Sequence, residues 1–216
     1  MEITWFGHSC FRLKGNEAAV VTDPASPETG YAPGRLMAEI VTVSHRHAGH
    51  NNTSNVSGVR KVLWGPGEYD LSNVLVTGIA AFHDDERGAR LGRNTVFLIE
   101  LDGVRVCHLG DIGHVPQAEH LTELTNVDVL LIPVGGGGST LGAAAAVKAI
   151  NVIEPKLVVP MHYRAPGSAR SDLDPLDRFL REMGLAPQEP QARLTVTRQA
   201  LPKEKEAKVQ VLEPQA

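Results

Sequence analysis

Three imidazoles fall within six residues in Ser44-His45-Arg46-His47-Ala48-Gly49-His50, directly after the apolar run Ile40–Val43. Other chemistry-bearing residues sit just past short apolar runs: His83 after Phe82, Asp111 in His108-Leu109-Gly110-Asp111, and His162 in Met161-His162-Tyr163. Neutral imidazole is a nitrogen ligand for zinc-like ions near neutral pH, and carboxylate is its usual companion. Alternate side chains on an extended segment point the same way, so His45 and His47 can converge on one ion. His50, beyond a turn, can face a second position. The chain has nine histidines, where about five would be ordinary for average usage. Water bound to such an ion ionises near neutral pH and can attack an ester, lactone, amide or phosphoester. No serine or cysteine nucleophile is then required, and Ser9 and Ser44 read as structural.

Two further residues bear on the same chemistry. Asp23, at the end of Ala18–Thr22, is suited to take the second N–H of a ligating histidine, and His8 to line the mouth of the site. Arg87, Arg90, Arg93 and Arg164 follow His83 and His162 and are candidates to grip a phosphate or carboxylate. The competing reading is a solvated loop. Gly135–Gly138 lacks the lysine of a phosphate-binding loop. Its glycines are expected to let the backbone pass close to the ions, with Thr140 capping the next helix and the helix N-terminus favouring an anionic group. Glu68 is explained by a turn, and His108, His114 and His120 as structural or surface residues.

The elements that must position these residues are mostly strands in the first half: 3–6, 10–14, 18–22, 40–44, 62–64 and 74–79. A hairpin joins Thr95–Leu101 to Val104–Cys107 through Asp102-Gly103, a pair that tolerates the positive φ of a type I′ turn. The second half alternates: a short helix over 118–124, a strand over 127–134, an alanine-rich helix over 142–150 and a strand over 156–160. An amphipathic helix over 173–183 ends at Gly184, and strands at 193–197 and 208–212 follow. No repeat or linker divides the chain, so one domain spans 1–216. The predicted class is α/β (α+β), two sheets packed face to face with helices outside.

Composition narrows the partners. Apolar residues make up 42% and charged residues 21% of 216 residues, with a net charge of −4, which gives no electrostatic reason to expect nucleic acid or an anionic membrane. Cys10 and Cys107 belong to no paired spacing and read as buried thiols in a reducing compartment. The first residues carry no basic-then-apolar signal pattern. A cytoplasmic protein with a small-molecule substrate is expected; oligomeric state is left open.

Ser-His-x-His-x-x-His resembles the His-x-His-x-Asp-His signature of the metallo-β-lactamase superfamily. Gly7-His8-Ser9-Cys10-Phe11, Thr22-Asp23-Pro24, Leu109-Gly110-Asp111, Ile132–Gly136 and Val159–Tyr163 extend the likeness in order along nearly the whole chain. It is similar above all to the zinc-dependent hydrolase branch that includes ascorbate-6-phosphate lactonase-like proteins. The resemblance implies a four-layer αββα sandwich of two mixed β-sheets with metals at one edge. His45, His47 and His83 would hold one ion, His50 and His162 a second, and Asp111 would bridge them and serve catalysis. The expected cofactor is Zn²⁺, one or two per chain, with Mn²⁺ or Fe as alternatives. The chain departs from the signature at Gly49, which stands where the family has aspartate and cannot coordinate. An aspartate restored there is expected to tighten the second ion. The reading is a hydrolase of a small ester, lactone or phosphoester, anionic or not. Its alternatives are a nucleotide phosphodiesterase and a non-catalytic metal-binding protein with a degenerate second site.

Overall fold

The structure is a computed structural model that describes residues 1–117, 122–204 and 206–215. His120 and residues 118–121 of the expected 118–124 helix lie outside the described residues. In the first sheet, β1 (Glu2–Trp5), β2 (Phe11–Lys14) and β3 (Ala19–Thr22) form an antiparallel meander. A short strand β4 (Leu36–Met37) leaves to pair with β6 (Val56–Ser57), while β5 (Ile40–Val43) and β7 (Lys61–Trp64) add parallel to β3. The second sheet begins with the antiparallel set β8 (Gly67–Leu71), β9 (Val74–Phe82), β10 (Arg93–Leu101) and β11 (Val104–His108). It continues in parallel through β12 (Val129–Pro133) and β13 (Leu157–Met161). The last strands are β14 (Leu194–Thr195), beside β1, and β15 (Lys208–Val209), beside β13.

Side-chain alternation sets the layers. In β3 and β5, Val20 and Ile40 face the core shared by both sheets, while Val21, Val41 and Val43 join Leu36, Ala38 and Val56 on the opposite face. The β4–β6 ribbon therefore covers the outside of the first sheet. Helices α1 (Ala143–Ile153) and α2 (Leu176–Glu182) flank the second. Strands β12 and β13 are buried along their whole length, as parallel strands covered on both faces must be. The result is the predicted sandwich of mixed sheets. Among the described residues no helix is long and apolar enough to cross a membrane.

Local differences from the sequence reading have physical causes. The segment around Glu68 is an edge strand, because Gly67–Leu71 pairs with β9 along one side only and shows a short, half-buried alternation. The 173–183 helix starts at Leu176, since Pro175 disfavours helical geometry in the residue before it. Gly142, not Thr140, occupies the N-cap of α1 in extended geometry. The Asp102-Gly103 hairpin forms as expected, with φ of 53° and 74°.

The carboxyl ends of β3, β5, β9, β11 and β13 reach one edge of the sandwich. Their spacing there is tight: a Cβ added to Gly135, just past β12, would lie 2.1 Å from the carbonyl oxygen of His162. Gly135→Ala is expected to lower the unfolding free energy by about 1–3 kcal/mol, the usual cost of overpacking, in equilibrium urea denaturation. Unchanged stability would show that these strand ends are not so closely apposed.

Candidate metal centre

One carboxylate organises the histidine-rich turn. Asp23, fully buried, accepts hydrogen bonds from the Ser44 backbone N–H at 2.7 Å and the Ser44 hydroxyl at 2.5 Å. Its Oδ2 also lies 2.8 Å from His50 Nδ1. A carboxylate only accepts, so His50 Nδ1 donates to Asp23 and the ring turns Nε2 towards Asp111. Ser44 has spent its proton on Asp23; hence the 2.9 Å contact to His45 Nδ1 is donated by the ring, and His45 Nε2 is bare. Both ring orientations are thereby set by hydrogen bonds behind the rings.

The remaining groups come from the second sheet. His83 follows β9 and precedes a loop closed by Asp84, whose two oxygens accept backbone N–H groups from Glu86, Gly88, Arg90 and Leu91 at 2.7–3.0 Å. Burial raises the Asp84 pKa, but these donors outweigh it and hold the carboxyl at about 2. Asp111 follows β11, its N–H donating to Asn94 Oδ1 at 2.9 Å while Asn94 Nδ2 donates to Leu109. Its Oδ2 lies 3.3 Å from Nε2 of His83, 3.3 Å from Nε2 of His162 and 3.6 Å from Nε2 of His50. Asp111 is the hub. His8, Asp23 and His162 are three of the nine described non-glycine residues at positive φ, a conformation that costs energy and clusters at functional sites.

Ligand atoms of His45, His47 and His83 lie within 4.8 Å of one another, as do those of His8, His50 and His162. A third set, Asp23, His45 and His50, is already engaged by the Ser44 bonds. Among the described residues, His45 Nε2, His83 Nδ1, Asp111 Oδ1 and both ring nitrogens of His162 are buried without a hydrogen-bond partner. Orphaned polar atoms are costly to bury, and their convergence fits a divalent cation. Electrostatics agrees. Burial, then the neighbouring His50, holds His45 down to about 2, and burial, then His83 and His50, lowers His47. Burial and the adjacent His162 and His50 keep His8 well below its usual value. Neutral imidazoles are the ligand form. Asp111 is pushed up by burial, but His162 and His50 hold it well below the carboxylate range.

A cleft of about 240 Å³ opens over these groups, walled also by Ser139 and Arg170. A wider cavity of about 710 Å³ adjoins it, lined largely by Val43, Trp64, Pro66, Ala81 and Phe82, and His47 and Leu91 border both. The arginines singled out in the sequence do not wall the small cleft. Arg90 donates to the Gly138 carbonyl, Arg164 to that of Ser171, Arg87 is exposed, and Arg93 borders the wider cavity. The guanidinium at the cleft is Arg170, held by Asp172 at 2.7 and 2.8 Å. Arg170 sits in an irregular loop with no periodicity to mark it. Asn94 was equally hidden, at the head of a strand that otherwise reads as apolar core.

His50 gives a pH-dependent consequence. Burial lowers its pKa, but Asp111 and Asp23 outweigh this and raise it from 6.5 to about 9. A raised folded-state pKa stabilises fully below the unfolded value and fades as pH rises through the folded one. In metal-stripped protein, the stability lost in His50→Gln should be largest below pH 6.5 and shrink towards pH 9. A difference that is flat, or grows with pH, in denaturant titrations would contradict the assignment.

A family model for the β-lactamase superfamily domain matches residues 2–162. The chain is 34% identical over 205 residues to a UPF0173 metal-dependent hydrolase of Methanoculleus marisnigri, covering 83% of this chain and 88% of the relative. It is 29% identical over 216 residues to its counterpart in Archaeoglobus fulgidus, covering 86% and 93%. A crystal structure from Thermotoga maritima, described as a candidate zinc-dependent hydrolase of the metallo-β-lactamase superfamily, is 35% identical with a TM-score of 0.78, covering 98% and 97%. An isothiocyanate hydrolase from Delia radicum gut bacteria, 13% identical with a TM-score of 0.69 over 91% and 99% of the two chains, shares the fold alone. With its strand-end histidines and buried carboxylate hub, the chain belongs to the β-lactamase superfamily, as a metal-dependent hydrolase of the metallo-β-lactamase fold.

Proposed function

We propose that the protein hydrolyses a small anionic ester, lactone or phosphoester at a centre of one or two Zn²⁺ ions in the cytoplasm, with Mn²⁺ or Fe as alternatives. The observation that carries this reading is the set of buried, unpartnered atoms on His45, His83, Asp111 and His162 beneath an open cleft. His45, His47 and His83 would hold one ion, His50 and His162 the other, and Asp111 would reach both. When bound, such ions supply Lewis acidity and a water acidic enough to attack at neutral pH.

The protein's own groups do the rest. Asp23 fixes the His50 ring, and Ser44 fixes that of His45, so neither imidazole reorganises during turnover. Asp111 remains ionised, and its free Oδ1 is the acceptor available to orient the attacking water's proton. Arg170, pre-set by Asp172, supports an anionic substrate group through its remaining N–H donors. The wider cavity, with Trp64 and Phe82, supports an apolar portion passing between His47 and Leu91. Cys10 and Cys107, buried and unpaired, suit a reducing compartment.

The test is elemental analysis of the purified protein, then a panel of carboxylic esters, lactones and phosphoesters with and without chelator. Turnover should vanish with chelation and return with Zn²⁺; hydrolysis of phosphodiesters alone would replace the ester reading, and none with a fully loaded centre would end it. Asp111→Asn should lower kcat/KM by about 10²-fold or more, the scale of a positioned acid–base group. Arg170→Ala should raise KM for anionic substrates by about 10–100-fold, the worth of a charged hydrogen bond, with metal content unchanged. Equal KM for charged and neutral substrates in both proteins would remove Arg170 from the substrate site.

A further inference from the structure

Gly49 marks the point where this chain leaves its family's signature, and the structure shows what fills the gap. A Cβ placed on Gly49 would lie 2.7 Å from His8 Nε2, 3.0 Å from His8 Cδ2 and 3.3 Å from Thr29 Cγ2. Gly49 is not at a left-handed φ; the ring of His8 fills the space that a Cβ would take. That ring is 4% exposed, with centroids 3.9 Å from His162 and 4.7 Å from His50. Its ligand nitrogen clusters with theirs within 4.8 Å.

The His8 backbone is fixed from both sides. Its carbonyl accepts from the Trp5 indole N–H and from the His162 N–H, each at 3.0 Å, and its φ is 52°. The β1–β2 turn thus carries the ring into the second histidine group and holds it in a conformation that a free turn would relax.

We propose that His8 is a ligand of the second metal position, supplying an imidazole in place of the carboxylate missing at Gly49. The second position would then hold His8, His50, His162 and Asp111, four protein groups with one negative charge. The exchange of carboxylate for imidazole shifts preference from hard, oxygen-seeking ions towards zinc, cobalt or iron. It also reverses the expectation that Gly49→Asp tightens the second ion, because the new side chain would collide with the ligand already there. The proposal rests on the metal-dependent reading of the site.

The test is Zn²⁺ titration of the full chain by calorimetry with elemental analysis, repeated with Co²⁺, whose visible bands report the ligand set. His8→Asn is the variant of choice, because asparagine tolerates positive φ, with circular dichroism to confirm folding. Two ions per chain are expected in the unsubstituted protein and one in His8→Asn. The second-ion affinity should fall by more than the roughly 10- to 100-fold that loss of a merely supporting partner costs. His8→Asn with Gly49→Asp should regain two ions, with a Co²⁺ spectrum altered by the oxygen ligand. Should His8→Asn not fold, Gly49→Ala, which removes no ligand, should still lose the second ion by displacing the ring. Undiminished second-ion affinity in the folded variants, or a single ion in the unsubstituted protein, overturns the role of His8 and leaves the hydrolase standing. No ion in any of them overturns both.

Discussion

The arrangement that governs this protein is a buried carboxylate ringed by imidazoles at the floor of a cleft. Asp111 is buried, as are His45, His50, His83 and His162, and several of their lone pairs face each other instead of a donor. Such a cluster is repulsive in part and desolvated throughout, so it opposes folding unless something positive occupies its centre. In the protein alone, His50 partly fills that role by holding a proton between Asp23 and Asp111. A divalent cation does so better, since it satisfies every lone pair at once and displaces the proton. Proton and metal therefore compete for one electrostatic hole.

The sandwich exists to hold that hole open. The contributing residues stand one to seven positions past strands whose own residues lie in the core, so side-chain packing fixes where each segment leaves its sheet. Two parallel triplets, β3-β5-β7 and β11-β12-β13, place their carboxyl ends at the shared edge. The cost is visible as strain: His8, Asp23 and His162 are all left-handed, and Gly110 and Gly135 sit where any Cβ would strike a neighbour. Core burial on both faces of β12 and β13 supplies the stability against which this strain is held.

What could be read in the chain, and what could not, follows from the same physics. Strand ends bearing histidines were legible because period-2 burial and ligand chemistry coincide in a few residues, as at Ile40–His50. The hairpin at Asp102-Gly103 was legible because its turn demands a rare φ. Helix boundaries were less so, since Pro175 cut the amphipathic pattern short. Long-range partners left no local mark. Arg170 reaches the cleft from an irregular loop, Asn94 buttresses Asp111 from a different strand, and β8 is held by pairing along one side only. Arg87 and Arg90 were close in sequence to His83 but lie in the Asp84 loop, whose carboxylate curls residues 84–91 back on themselves.

Gly49 shows the limit of reading a motif one position at a time. In the linear signature, a glycine in place of aspartate is a loss, and it invites the inference of a weakened or abandoned site. In three dimensions the place is taken by a ring from a turn 41 positions earlier in the chain, and the glycine is what allows it in. His8 stands at positive φ, its ring wedged between two imidazoles and its carbonyl pinned by hydrogen bonds from Trp5 and His162. Ligand number is the quantity under physical constraint, because the cation's charge and coordination must be met, while the identity of the residue meeting them is free to move to whichever strand end lies within reach.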